Sequence, residues 1–180
     1  IFTNFNITSI PESFSQLVML KSLTLKNNNI EDLPLSLYSL NYIEQFDISF
    51  NQISQLDEGI GSFSELNDLN ISANYINELP QSISSLTGLT DLDVSQNNLT
   101  EFNLNNLDNL DNLYIGGNYI SNLDESFCEL NINWANHDNI VMNNHLCSNI
   151  PSCLVETNSV GPQNCNEGQR QFLQFIINLN

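Results

Sequence analysis

Five times along the chain the same apolar spacing ends on an asparagine, and that spacing restricts the fold more than any other property of the sequence. The unit is Leu-x-x-Leu-x-Leu-x-x-Asn-x-Leu, with Ile, Val or Phe standing in for Leu. It reads Leu20, Leu23, Leu25, Asn28, Ile30, then Ile43, Phe46, Ile48, Asn51, Ile53, then Leu66, Leu69, Ile71, Asn74, Ile76. It continues as Leu89, Leu92, Val94, Asn97, Leu99 and as Leu110, Leu113, Ile115, Asn118, Ile120. Successive asparagines lie 23, 23, 23 and 21 residues apart. Self-similarity at such a period marks a stack of coils, each burying its apolar side against its neighbours in a one-dimensional core.

Local physics assigns a job to each position. In a strand, side chains alternate between faces, so the two apolar residues of each Leu-x-Leu pair point into the core and the residues around them point out. The Asn turns the chain away from the strand. Its amide can both accept and donate, and so can pair with backbone groups that a buried bend would otherwise leave unsatisfied. The chain then returns through a second apolar run, such as Leu33-Pro34-x-x-Leu37-x-x-Leu40 or Leu79-Pro80-x-x-Ile83-x-x-Leu86. About a dozen residues opening near a Pro suit 3₁₀ turns or one or two helical turns. Two arms depart from this pattern: Leu56 is followed by Asp57 instead of Pro, and the arm after Leu99 is two residues shorter, with Phe102-Asn103-Leu104. Irregular convex structure is expected at both.

This unit resembles the leucine-rich-repeat family over about Phe2 to Leu130. The resemblance implies an α/β repeat solenoid: a right-handed horseshoe with a parallel concave β-sheet and short 3₁₀ or helical turns on the convex side. A partial first repeat reads Phe2, Phe5, Ile7, Ile10 and Pro11, with Phe5 where the ladder Asn should stand. The chain opens partway through this repeat without an initiator Met or a signal peptide, so a mature chain or a fragment is expected. The expected layout is repeats over 1–126, a cysteine-containing cap over 127–166, and a tail or linker over 167–180.

All four cysteines, Cys128, Cys147, Cys153 and Cys165, follow the repeats. An even, clustered set reads as two disulfides formed in an oxidising compartment. The zinc alternative would add His137 and His145, but the Cys-x2-Cys spacing of such sites is missing. Phe127-Cys128-x-Leu130, Leu146-Cys147, Pro151-Ser152-Cys153 and Gln163-x-Cys165 resemble the caps of extracellular leucine-rich-repeat proteins. Four cysteines permit three pairings; Cys128–Cys153 with Cys147–Cys165 is preferred among them. Trp134, with Ile132 beside it, is expected to lid the last hydrophobic layer, a core role in preference to ligand stacking.

Charge narrows the partners. The formal net charge is −18, and the cations are Lys21, Lys26 and Arg170. Nucleic acid needs a basic footprint that this chain lacks, and an anionic membrane would be repelled. No stretch approaches the roughly 20 apolar residues that span a bilayer.

Alignment on the ladder also names the outward columns. One is Ser22, Gln45, Asp68, Asp91, Asn112; the next is Thr24, Asp47, Asn70, Asp93, Tyr114; the third is Lys26, Ser49, Ser72, Ser95, Gly116. Asp47, Asp68, Asp91 and Asp93 should therefore gather in mid-sheet. Like charges about 5 Å apart repel by about 1 kcal/mol in water and about 3 at an intermediate dielectric. The candidate ligand face is Asp47, Asp68, Asn70, Asp91, Asp93 and Tyr114, with Tyr75 and Tyr119 at its border, suited to a protein, a basic peptide or a glycan. A solvated acidic face with no ligand accounts for the same residues equally well. A calcium loop is missing, and neither a metal nor a cofactor is expected. Three sequons, at Asn6, Asn70 and Asn98, could carry glycans in a eukaryotic source, or could arise by chance in an Asn-rich chain.

No Gly-x-Ser-x-Gly, His-Glu-x-x-His or phosphate loop occurs, and an open sheet neither desolvates carboxylates nor encloses a substrate. Catalysis is not expected. The leading reading is an extracellular or cell-surface recognition module, as a region of a larger chain or assembly. Its rivals are a structural protein that stacks through its first coil and an intracellular scaffold.

Overall fold

The computed structural model describes residues 1–103, 106–130, 132, 134, 141–147, 150–156 and 163–165. Five three-residue strands, β1 (Ser22–Thr24), β2 (Gln45–Asp47), β3 (Asp68–Asn70), β4 (Asp91–Asp93) and β5 (Asn112–Tyr114), form one parallel sheet in chain order. Pairing is in register throughout: Ser22, Gln45, Asp68, Asp91 and Asn112 are successive partners, as are Thr24, Asp47, Asn70, Asp93 and Tyr114. The central residue of each strand, Leu23, Phe46, Leu69, Leu92 or Leu113, is buried. These are the columns expected from the repeat.

The asparagine ladder holds the coils together. Each side-chain Oδ1 accepts from a backbone N–H of the preceding coil, and the series Ile7, Ile30, Ile53, Ile76, Leu99 and Ile120 donates at 3.0–3.1 Å. Each Nδ2 donates to one carbonyl of the preceding coil and to the carbonyl three residues back in its own turn, and those of Asn28, Asn51, Asn74 and Asn97 also reach the carbonyl two residues back at 3.2–3.3 Å. The Ile48 carbonyl, for example, accepts from Asn51 at 3.0 Å and from Asn74 at 3.0 Å. The ladder is longer than the five asparagines read from the repeat. Asn144 is a sixth rung, fully buried, accepting from Ile120 and donating to Ile115 and Val141. Gln163 takes the next place: its Oε1 accepts from Leu146 N–H and its Nε2 donates to Val141 O. Those are the two groups, two residues after and three before Asn144, that a seventh asparagine would bind.

The turn that aims each rung is strained. The residue before the ladder position has positive φ at Asn27, Phe50, Ala73, Gln96, Gly117 and Asn143, between 53° and 71°. Asn and Gly tolerate this region, but Phe50, Ala73 and Gln96 bear a cost of roughly 1–2 kcal/mol each. The N–H of each of these three donates to the next coil, to Ser72, Ser95 and Gly116 respectively. The strained conformation is held by bonds made on both sides of it.

On the convex side 3₁₀ turns lie at Glu12–Gln16, Leu35–Ser39, Glu58–Ser62, Gln81–Ser85 and Glu125–Glu129. The irregularity expected at Asp57 does not occur. Its carboxylate accepts from Gly59 N–H at 2.7 Å and starts the turn that Pro starts elsewhere. The shorter arm after Leu99 has no 3₁₀ turn among its described residues, and Leu104 lies outside them. Glu58 reaches across coils, accepting from Ser82 N–H at 2.8 Å and Gln81 N–H at 3.1 Å. These bonds, the one from Ser82 foremost, hold its carboxyl below the usual range.

The cysteines pair as Cys128–Cys153 and Cys147–Cys165, the pairing preferred above. The first ties the Glu125–Glu129 turn to a five-residue helix, α1 (Ser152–Glu156), whose Ser152 N–H is accepted by Glu125. The second places Gln163 beside Leu146. Trp134 and Ile132 are buried, and the Trp134 ring lies 4.8 Å from Phe127, as a lid on the core requires. His137 and the 167–180 segment lie outside the described residues.

Removing one rung should be costly. Asn74→Ala strands the Ile53 N–H and removes a donor from the Ile48, Ile71 and Ser72 carbonyls. At about 1–3 kcal/mol for an unsatisfied buried group, urea unfolding should show a loss of about 3 kcal/mol. Asn98→Ala, one residue past a rung and at the surface, should change stability by no more than about 0.5 kcal/mol.

Candidate functional site

The concave face follows from strand alternation: with Leu23, Phe46, Leu69, Leu92 and Leu113 inward, the flanking columns face solvent. Asp68 is exposed, while Asp47, Asp91 and Asp93 are half-buried. Parallel pairing sets Asp68 directly beside Asp91, and Asn70 between Asp47 and Asp93. The structure thus brings together the acidic residues that the sequence placed there, with Tyr114 in register beside Asp93.

These side chains have different partners. Asp47, Asn70 and Asp93 each turn Oδ1 back onto the serine two residues on, accepting both its N–H and its hydroxyl. The hydroxyl distances are 2.7, 2.6 and 2.6 Å for Ser49, Ser72 and Ser95. This corrects the third column: Ser49 is 0% and Ser72 6% exposed, so they are polar residues turned inward and sealed by the preceding Asp or Asn. Alternation predicts outward side chains only while the chain stays extended, and here the ladder bend has begun. The Asn70-Ile71-Ser72 sequon therefore has a structural reason to exist. Asn98 donates to Tyr75 O at 3.2 Å, and Asn6 is exposed.

Asn70 also shows what the staple does not need. An amide makes the same two bonds as the carboxylates of Asp47 and Asp93, so their negative charge is not required by the fold. Asp91 accepts from Asn112 Nδ2 at 2.6 Å and Thr90 Oγ1 at 2.7 Å. Asp68 has no hydrogen-bond donor among the described residues. Partial burial, then repulsion from Asp91 and Asp47, raises its carboxyl above the ordinary value of 3.8. The two lysines of this face are engaged at its first coils: Lys21 pairs with Glu44 at 2.6 Å, and Lys26 lies over the Phe50 ring at 5.3 Å.

At the other end, where Gly116 replaces the serine of the earlier coils, a hollow of about 210 Å³ opens between Asp93, Gln96, Tyr114, Gly117 and Met142. Sequence reasoning placed Asp93 and Tyr114 on this face but missed the hollow and Met142. The signal was present as Val141-x-x-Asn144-x-Leu146, which sets Met142 one coil beyond Gly116. Among the described residues no group of His, Cys, Asp and Glu is arranged to hold a metal.

A family model described as leucine rich repeat matches residues 41–99. The chain has the fold of a leucine-rich-repeat solenoid. Among solved structures it is similar to a leucine-rich-repeat protein of Leptospira interrogans (TM-score 0.70, 18% identity, 94% of this chain and 50% of that one). It is also similar to an internalin of Listeria monocytogenes (TM-score 0.71, 22% identity, 90% and 47%). A plant peptide hormone receptor in complex with RGF2 matches as well (TM-score 0.71, 20% identity, 92% and 28%). At these identities the likeness is one of fold, and the chain spans about half the length of the first two. No curated protein matches the sequence.

Within this leucine-rich-repeat sheet, Asp68 makes an experimental handle. Its folded-state pKa is raised, so its contribution to stability is present below the unfolded value and is lost as pH rises through the folded one. Ionised Asp68 therefore opposes folding. Asp68→Asn should raise the melting temperature at pH 7, by the equivalent of about 0.5 kcal/mol for a like-charged cross-strand neighbour, and should leave it unchanged near pH 3. Thermal melts of both proteins at the two pH values check this.

Proposed function

We propose that the chain is a non-catalytic recognition module that takes a protein or peptide of basic character on its concave sheet. The observation that carries this reading is the set of carboxylates at mid-sheet whose charge has no structural role. Asp47 and Asp93 do what the neutral Asn70 also does, and Asp68 sits among like charges without a donor among the described residues. Charge kept where the fold gains nothing from it is charge available to a partner, and its field would speed encounter with a cationic one. A solenoid supplies an extended curved surface for such contacts, and a plant receptor of this fold was solved in complex with RGF2. Asn6 and Asn98, both away from the central columns, are the sequons this reading leaves open to glycans.

The test is selection of random peptides on the immobilised protein. Peptides rich in Lys and Arg should be enriched, bind more weakly as salt rises, and lose at least tenfold in affinity for Asp68→Asn/Asp91→Asn. Peptides that bind the double variant equally well would sink the concave-sheet reading.

Two disulfides favour an extracellular or cell-surface setting over an intracellular scaffold. Thiol titration of the protein taken from its native source under alkylating conditions should find no free thiol; four would rule that setting out.

A further inference from the structure

The residue after each ladder position begins a column of its own, beyond the bend: Asn29, Gln52, Tyr75, Asn98, Tyr119 and His145. Each donates its backbone N–H at 2.8 Å to the carbonyl of Ile7, Ile30, Ile53, Ile76, Leu99 or Ile120 in the coil before. Residues adjacent in this column are therefore adjacent in space. Asn98 opens the sequon Asn98-Leu99-Thr100 and stands between two tyrosines of different circumstance. Tyr119 packs against the His145 ring, with centroids 5.5 Å apart. Tyr75 is 57% exposed, and among the described residues its side chain has no partner.

We propose that Asn98 carries an N-linked glycan whose first sugar is seated on Tyr75. The inference rests on the extracellular setting proposed above. Its geometric ground is the direction of the amide: Asn98 Nδ2, the atom that a sugar would occupy, donates to Tyr75 O at 3.2 Å. A glycosylated amide keeps one N–H, so this bond survives attachment and holds the sugar beside Tyr75. The electron-rich face of an aromatic ring attracts the polarised C–H bonds on the apolar face of a pyranose.

The three sequons differ in what the fold asks of them. At Asn70 the Ser72 hydroxyl is buried and bonded to Asn70 itself. Asn6 lies one coil before Asn29, so no aromatic follows it in the column. Thr100 is exposed and makes no hydrogen bond among the described residues, so the hydroxyl that a glycosylating enzyme requires at this position has no structural use. Leu99 between them is buried, with its N–H held by Asn118, so transfer precedes closure of this coil. In that step Nδ2 bonds to the anomeric carbon of a polyprenyl-diphosphate-linked oligosaccharide. The carbon–oxygen bond to the diphosphate breaks, its electron pair leaves with the diphosphate, and one amide proton passes to a base of the transferase.

Two measurements test this. Peptide mapping of the protein from its native source, after enzymatic release of N-glycans in heavy-oxygen water, should find labelled aspartate at position 98; unlabelled Asn98 would overturn the proposal. For the seat, the whole chain is secreted from cultured eukaryotic cells with carbon-labelled sugars and trimmed to one sugar per site. Thr100→Ala keeps Asn98 but destroys the sequon, and so identifies the Asn98 sugar signals by their loss. Those protons should lie upfield of the same protons in free glycosylated asparagine, return to them in Tyr75→Ser and stay shifted in Tyr119→Ser. Unshifted protons, or a shift that survives Tyr75→Ser, would overturn the seat. A bare Asn98 in a native protein without free thiols defeats this inference alone, whereas a bare Asn98 with four free thiols defeats the extracellular setting as well.

Discussion

Every other feature of this molecule is arranged around buried amides that bond to two coils at once. An asparagine side chain fits because it is both acceptor and donor on a short stem. Oδ1 takes an N–H from the coil before, while Nδ2 bridges that coil's carbonyl and one in its own turn. The bond geometry barely varies although the chain length it spans does: Leu99 and Asn118 are 19 residues apart, Ile120 and Asn144 are 24 apart, and both bonds measure 3.0–3.1 Å. Differences in length are absorbed by the convex arms, where Pro34, Asp57 and Pro80 open turns by different means. The constraint acts at the turn and leaves the return path free.

A ladder of this kind has an end problem. The last rung exposes an N–H and a carbonyl that the next coil would have covered, and burying them unpaired would cost about as much as losing a rung. Gln163 meets both groups from a segment that is no repeat, and the Cys147–Cys165 link fixes that segment next to Leu146. The cap does more than cover an apolar layer with Trp134: it completes the hydrogen bonding. At the first coil Phe5 stands at the ladder position and is 67% exposed, while Asn28 already satisfies Ile7 N–H.

Much of this was legible in the sequence, for a reason that also explains what was not. Periodicity reveals positions that recur at fixed spacing, so the strands, their register and the acidic columns could be read from five asparagines. It does not reveal a role filled once by a different residue. Asn144 follows an irregular interval, Gln163 does an asparagine's work without its motif, and Asp57 replaces Pro by side-chain capping. Ser49 and Ser72 were misplaced because polarity suggests exposure, whereas each hydroxyl is sealed by the Asp or Asn two residues earlier. The hollow was hidden for a related reason, since Gly116 matters through the side chain it lacks.

Two carboxylates show where structure stops accounting for charge. Glu58 caps the next coil's turn, and its bonds from Ser82 and Gln81 favour the ionised form. Its charge supports the fold. Asp68 is shifted in the opposite direction by burial and by Asp91 and Asp47, so its charge works against the fold. A stack of parallel strands amplifies such choices, because any residue type repeated at one position becomes a column about 4.8 Å in spacing. Repulsion along that column is tolerable only while water screens it, and a cationic group laid across it relieves the repulsion as it binds. The geometry that makes the acidic column unfavourable in the free protein is thus the one that the proposed recognition of a cationic partner would draw on, and the same in-register pairing sets Tyr114 beside Asp93 at the column's end.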